Sequence, residues 1–392
     1  MSLAPYRQVL AVPGVRALLL IGMLARIPST AIGMTLTLHV ATGLHRSWAE
    51  AGLVTAAYTI GVAIGSPLMG RLIDRRGMRP AMLLTTLVQL VVWSTAPHLS
   101  YQLLVPAALV GGLLCIPIFG TIRIALAAMV PGEQRRPAYA LDSMIVELSF
   151  MVGPALAVLL ATTLSTGTGI YLLAVGLVVS GATLFVMNPA TRPEGQEIPE
   201  VAPPRRSWFG PRLVAVLIAS AAATFILSAT DLAIVAMMRE AGAITWTGVA
   251  IALWCAYSLI GGLVFGAIRK PISVLTLVAV MGLLTIPAGM APTWQWLLLL
   301  LIPSGVLCAP AMVAANDTLS RVVPPASRGE ATGLLGSAMT AGTTIGAPFA
   351  GFVVDHTGPG WAFAVAGLVG AVAVLAALPA YRRAPALAPA PA

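Results

Sequence analysis

Apolar residues in this chain come in long runs separated by short polar turns, with no sustained alternation of apolar and polar positions. Six runs cover residues 16–40, 49–70, 80–96, 101–129, 138–164 and 168–187, and six more cover 212–237, 247–268, 272–290, 296–318, 330–354 and 361–380. An α-helix needs about 20 mostly apolar residues to cross a bilayer, so the pattern predicts twelve membrane-spanning helices in two sets of six. The stretch between the sets, 188–211, holds six prolines, three arginines and three glutamates. It is too polar and too broken to span and reads as a linker. The expected organisation is a six-helix bundle over 1–187, a linker over 188–211, a second bundle over 212–380 and a tail over 381–392.

Composition agrees: 58% of residues are hydrophobic and 9% charged, against roughly 25% charged in a soluble domain. A water-soluble globule is excluded. The net charge of +9 does not point to nucleic acid, because the basic residues are spread through short loops instead of forming one face. They report topology. Eighteen of the 22 basic residues lie at the N-terminus, the 71–79 turn, Arg135 and Arg136, the linker with Arg212, Arg269 and Lys270, Arg321 and Arg328, and the tail. Arg46 and Arg239 occupy the alternate loops, and Arg26 and Arg123 fall inside runs. The positive-inside rule then puts both termini and the linker in the cytoplasm. His39, His45, His98 and His356 fall at the outer face, as exposed loop residues or as pH sensors.

Cys115, Cys255 and Cys308 are odd in number and lie in apolar runs, which supports neither a disulfide framework nor a metal site. No apolar segment precedes the first run, so a cleavable signal is not expected and the first helix itself should direct insertion. Lys270 is the only lysine in a chain rich in Ala, Gly, Pro and Arg, a composition read as that of a GC-rich bacterium; the expected location is the bacterial cytoplasmic membrane.

The two halves repeat. Gly112, Cys115 and Pro117 in the fourth run recur 193 residues later as Gly305, Cys308 and Pro310, and the same offset relates Val130-Pro131 to Val323-Pro324, Arg135 to Arg328 and Gly153 to Gly346. Halves of equal orientation enclosing a site between them suit a rocking transporter.

Between the second and third runs the chain reads Gly65-Ser66-Pro67-Leu68-Met69-Gly70-Arg71-Leu72-Ile73-Asp74-Arg75-Arg76-Gly77-Met78-Arg79-Pro80. This resembles the signature loop of the major facilitator superfamily, G-x-x-x-D-R/K-x-G-R/K-R/K, with Met78 at a usually basic position. The resemblance implies the twelve-helix fold of that family, in two pseudo-repeated bundles, and a gate in which Gly70, Asp74, Arg75, Gly77 and Arg79 take part. Asp74 should meet the N-terminal end of the eleventh helix near Arg328 to Ala331, where free amides favour an anion. The matching turn of the second half, Gly266 to Pro271, is short and lacks the aspartate, so a single strong latch is expected. In the fifth run, Ser149 to Val158 with Gly153-Pro154 looks like a degraded form of the family's antiporter motif and hints at efflux. A kink for close packing is the other reading. Ala108 stands where the family's fourth helix usually has a basic residue.

Ionisable groups inside membrane helices are costly and are functional candidates by default. Arg26, Arg123, Asp142, Glu147 and Asp231 qualify. Arg26 and Glu147 each lie about 15 Å along their helices, and these helices are neighbours in the family fold, so an Arg26–Glu147 ion pair is expected, as a static brace or as a proton-coupling or substrate-binding device. Asp142 is five residues from Glu147, about 140° around the helix, and is read as structural, with Arg123 in reach. Glu147 and, as its rival, Asp231 are the proton-coupling candidates. Polar stripes at helical spacing include Arg26, Thr30, Gly33 and Thr37 in the first run and Ser220, Thr224, Ser228 and Asp231 in the seventh. Phe119 and Arg123 in the fourth run are matched by Met312 and Asn316 in the tenth. These helices line the cavity in the family, so the stripes are read as cavity walls, with small-residue packing as the alternative for Ser220, Thr224 and Ser228.

The expected protein is therefore a proton-coupled secondary transporter of the major facilitator type, resembling its drug and metabolite efflux branch. It should act as a monomer in the bilayer on a small, partly apolar compound, with no cofactor, metal or nucleic acid. Uptake of a metabolite or organic anion, with Arg26 and Arg123 as ligands, is the alternative. A membrane-embedded enzyme is the remote one, because no catalytic cluster appears.

Overall fold

The computed structural model describes residues 4–190, 204–268 and 272–383. Arg192, most of the linker, Arg269, Lys270 and most of the tail lie outside them. The regular elements among the described residues are all helices. A short amphipathic helix, α1 (Ala4–Ala11), precedes the first span, α2 (Val15–Leu38), which widens into a π turn over His39–Gly43. The remaining spans of the first half are α3 (Trp48–Arg76), α4 (Met78–Thr95), the pair α5 (Tyr101–Leu113) and α6 (Ile118–Met129), α7 (Arg135–Thr163) and α8 (Thr166–Met187). One turn, α9 (Arg205–Trp208), leads to α10 (Pro211–Glu240), α11 (Thr247–Ala267), α12 (Val274–Thr285), the pair α13 (Trp294–Leu300) and α14 (Ile302–Val322), α15 (Arg328–Thr357) and α16 (Pro359–Arg383). Ten of these segments are long and apolar enough to cross a membrane; the shorter Val274–Met290 occupies the ninth place and the bent pair α13 and α14 the tenth. The twelve-run pattern is thus realised among the described residues.

Local chemistry explains the boundaries. Ser47 and Glu50 close a capping box at the start of α3, satisfying two otherwise free amides. At its other end a single residue, Gly77, turns the chain into α4 with φ of 81°, a left-handed conformation that a side chain would strain. The fourth span breaks at Cys115–Pro117 because Pro117 offers no N–H and pushes Ile116 out of helical conformation. Its counterpart Pro310 stays inside a continuous α14, and the bend of 42° falls earlier, at Leu301. The sequence repeat is therefore not a repeat of the break.

The packing does repeat. In the first half α2 lies on α7 and α8, α3 on α5, and α4 on α8; in the second α10 lies on α15 and α16, α11 on α14, and α12 on α16. Between halves α3 meets α15, and α7 meets α11 and α14. Large apolar side chains at helical spacing, such as Ile60, Ile64 and Leu68 or Leu172, Val175 and Val179, remain exposed on the outside. Such a surface belongs in lipid.

Close helix contacts rely on missing side chains. A Cβ at Gly112 in α5 would stand 2.0 Å from the Tyr58 carbonyl of α3. Gly112→Val is expected to cost about 3 kcal/mol or more of packing. The check is the yield of monodisperse protein after detergent extraction, which should collapse relative to the unsubstituted chain.

Candidate functional site

The 71–79 turn marks one end of the bundle, called here the arginine-rich end. There Asp74 in α3 accepts hydrogen bonds from the backbone N–H groups of Gly329 and Glu330 through Oδ1 and Oδ2, each at 2.8 Å. These amides open α15 and have no partner within the helix, and the helix dipole favours a negative charge beside them. The contact requires touching backbones. A Cβ at Gly70 would lie 2.0 Å from the Gly329 carbonyl, and one at Gly333 would lie 2.3 Å from that of Ser66. The expected docking of Asp74 is met, but its arginine neighbours are otherwise engaged. Arg71 reaches Glu330 at 3.5 Å and Arg205 also pairs with Glu330, whereas Arg75 is exposed and Arg79 lies over the Phe185 ring at 5.8 Å.

A second latch stands where none was expected. Arg136, at the start of α7, donates through Nη1 to the Ile268 carbonyl at 2.8 Å and lies 3.6 Å from Asp317 of α14. Asp317 is shared with Arg321 at 3.0 Å. With no aspartate in the 266–271 turn, the end of α11 offers its own carbonyl and the partner half supplies a guanidinium. Sequence reading took Arg136 as a topology marker and passed over Asp317, which sits at the edge of its apolar run. Nearby, Tyr6 of α1 donates to the Leu263 carbonyl at 2.5 Å. Burial pushes the Tyr6 hydroxyl up to about 12, so it stays protonated and able to donate.

Further in, the ion pairs differ from expectation. Arg26 does not meet Glu147: its Nη2 donates to Asp142 Oδ1 at 2.6 Å, and Arg123 Nε donates to Asp142 Oδ2 at 3.0 Å. Arg26 and Asp142 are fully buried. Depth placed Glu147 level with Arg26, but the five-residue step from Asp142 turns it to another face of α7. There its Oε1 accepts from the Ser258 hydroxyl of α11, across the two halves, and its Oε2 has no partner among the described residues. Ser258 also accepts from the Ala309 amide at 3.1 Å. Sequence reading missed it, one hydroxyl in an otherwise apolar run. Asp231 of α10 is exposed.

The polar stripes are mostly packing. Thr30 donates to the Ser149 carbonyl of α7 and Thr224 to the Met339 carbonyl of α15, both at 2.8 Å, as matching devices in the two halves. Ser220 is fully buried and donates to the Val216 carbonyl, while Ser228 donates to the Thr343 carbonyl. Thr37 bonds Thr55 of α3 at 3.0 Å, and Gly33 packs on that same threonine. Thr30, Thr37, Thr224 and Ser228 join helices while Ser220 bonds within its own, because a hydroxyl in a membrane helix finds a backbone carbonyl nearby. Phe119 instead lies beneath the Arg26 guanidinium, 5.2 Å from ring to cation. In α14, Asn316 is buried and bonds the Met312 carbonyl, and Met312 is half-buried. His39 is also a correction: it is buried, with Nδ1 3.0 Å from Thr166 Oγ1.

The named polar contacts between halves run from the arginine-rich end to the middle, where Ser337 meets the Ala63 carbonyl and Ser258 meets Glu147. One end is closed over a charged interior.

The sequence profile of the Major Facilitator Superfamily matches residues 18–290 and 216–392. No curated relative matches. Solved structures are similar in fold. The human organic anion transporter MFSD10 (TETRAN) has a TM-score of 0.73 at 16% identity, covering 93% of this chain and 98% of that one. A bacterial homologue of the iron transporter ferroportin in its outward-facing state scores 0.71 at 17%, covering 94% and 98%. The proton:xylose symporter XylE, bound to 6-bromo-6-deoxy-D-glucose, scores 0.71 at 14%, covering 92% and 94%.

Asp74→Asn should weaken the α3–α15 latch by about 1–2 kcal/mol, the usual scale for a charge at a helix terminus. The check is alkylation of a Thr332→Cys probe by an impermeant maleimide in a background without native cysteines. Labelling from the arginine-rich end should rise roughly five- to thirtyfold in the equilibrium limit.

Proposed function

Because the chain belongs to the major facilitator superfamily, and is with it a multi-pass membrane transporter, we propose that it works as a proton-coupled exporter of a small amphipathic compound by alternating access. The proposal places it in the bacterial cytoplasmic membrane as a monomer, with the arginine-rich end, both termini and the linker in the cytoplasm. On that orientation the closed end is the cytoplasmic gate, and the interior is reached from outside.

One observation carries the coupling: the Glu147 carboxylate sits within a span and bridges the halves through Ser258. Its Oε2 has no partner among the described residues. Alternating access must part α7 from α11, so the protonation state of Glu147 and the state of the gate act on the same contact. A proton arriving from outside would neutralise the group before that contact breaks, sparing an exposed charge in low dielectric. Asp231, exposed on α10, is the entry-side carrier in this scheme. Arg26, held on Asp142, takes no part in the proton step.

A second reading, uptake with the proton, is favoured by the placement of Glu147 and the Arg26–Asp142–Arg123 cluster on different faces of α7. Proton and substrate can then be aboard together.

Proteoliposomes with an imposed proton gradient test both. Glu147→Gln is expected to lower uphill transport by about tenfold or more while leaving downhill exchange within about twofold, the signature of a lost driving step and not of lost binding. The sign of the gradient that drives accumulation separates export from uptake. Undiminished uphill transport rules Glu147 out.

A further inference from the structure

Between α2, α6 and α7 two guanidinium groups share one carboxylate. Arg26 and Asp142 have no exposed surface and Arg123 has 8%. Both oxygens of Asp142 are used, one by each arginine. The cluster therefore carries one positive charge more than its own residues cancel. Two nitrogens of Arg26, Nε and Nη1, have no hydrogen-bond partner among the described residues.

Five other carboxylates among the described residues are engaged or placed elsewhere. Glu147 is turned to Ser258, Asp317 is held by Arg136 and Arg321, and Glu330 by Arg71 and Arg205. Asp74 is held by the start of α15. Asp231 lies on α10, in the other half, and is exposed. A hydrogen-bonded water could satisfy the free N–H groups but would leave the charge, and an uncompensated charge in a membrane interior is the more costly defect.

The surroundings of the cluster narrow the class of ligand. The Arg26 guanidinium lies over Phe119, whose ring is 6.0 Å from that of Phe150. Phe119 is half-buried, while Phe150 is exposed. An apolar aromatic pair thus leads from an exposed surface to a cation with spare donors. We propose that the transported compound is a small organic monoanion, its carboxylate docking on Arg26 beside Arg123 and its apolar body lying against Phe119 and Phe150. The proposal rests on the reading of the chain as a transporter and adds the charge and shape of its cargo. Docking neutralises the cluster, and Asp142 holds the two arginines in place while competing with the incoming carboxylate.

The test uses thermal unfolding of the purified full-length protein in detergent at constant ionic strength, with benzoate, benzyl alcohol, benzylamine and chloride as probes. Benzoate at concentrations well above its Kd is expected to raise Tm by about 2–4 °C, with no comparable effect of the other three. Arg26→Gln should abolish the benzoate shift. Where that variant fails to fold, Phe119→Ala, which keeps all three charges, should weaken the shift. Asp142→Asn should lower the benzoate concentration needed for half the shift by several-fold, because it removes the competing carboxylate; a purely structural Asp142 would not produce that gain. The proposal is overturned by the absence of a benzoate shift, by an equal shift with the alcohol, the amine or chloride, or by a benzoate shift that survives Arg26→Gln. If benzoate binds in this way but no gradient moves it in proteoliposomes, the transporter reading fails and the anion site stands. If a neutral or cationic compound is driven instead, transport stands and this assignment fails.

Discussion

The bond between Asp74 and the two amides that open α15 is the interaction around which the closed end is built. It joins a full charge to the positive end of a helix, and it works only at contact distance. That demand explains the surrounding sequence. Gly70, Gly329 and Gly333 have no side chain where the backbones of α3 and α15 touch, and Gly77 takes the positive φ that lets α3 turn into α4 without an intervening loop. The signature glycines are thus consequences of the aspartate's geometry.

The second half reaches the same end by the opposite route. An offset of 193 residues maps Gly329 onto Arg136. In one latch a side-chain anion meets the free N–H groups at the start of α15; in the other a side-chain cation, Arg136, meets the free carbonyl beyond the end of α11. Both use the unsatisfied backbone at a helix end. Losing the second aspartate therefore leaves a latch in place with its polarity reversed.

Much of this architecture is legible in the sequence, because span length, loop charge and a glycine-aspartate motif are one-dimensional signals. The twelve runs and the docking of Asp74 on the eleventh span follow from them. The interior pairings do not. Depth along two helices can be counted, and it set Arg26 level with Glu147, but the direction in which each side chain faces depends on how the helices are rotated in the bundle. One and a half turns separate Asp142 from Glu147, enough to give the first to two arginines and the second to Ser258. The hydroxyl stripe of Ser220, Thr224 and Ser228 misleads for a related reason. Spacing shows that the groups share a face, and the same face serves a cavity or a neighbouring helix equally well; here Thr224 and Ser228 bond α15, while Ser220 bonds its own helix. Ser258 and Asp317 left no periodic trace at all.

The separation of charge across α7 links the two proposals. A cluster with one surplus positive charge lies on one face and a carboxylate with a free oxygen on another. Had Arg26 paired with Glu147, each would have cancelled the other and the empty protein would need nothing further. Kept apart in a medium of low dielectric, each retains most of its own desolvation cost. Each can lose that cost to a different guest: an anion at Arg26, a proton at Glu147. Either guest alone leaves the interior with a net charge, whereas both together leave none. On that arithmetic the gate should move most readily when the site is fully loaded or when the halves re-form their contacts empty. Such a rule couples two species without requiring them to touch, and it belongs to the second reading, uptake with the proton, whereas export requires that one guest leave before the other arrives.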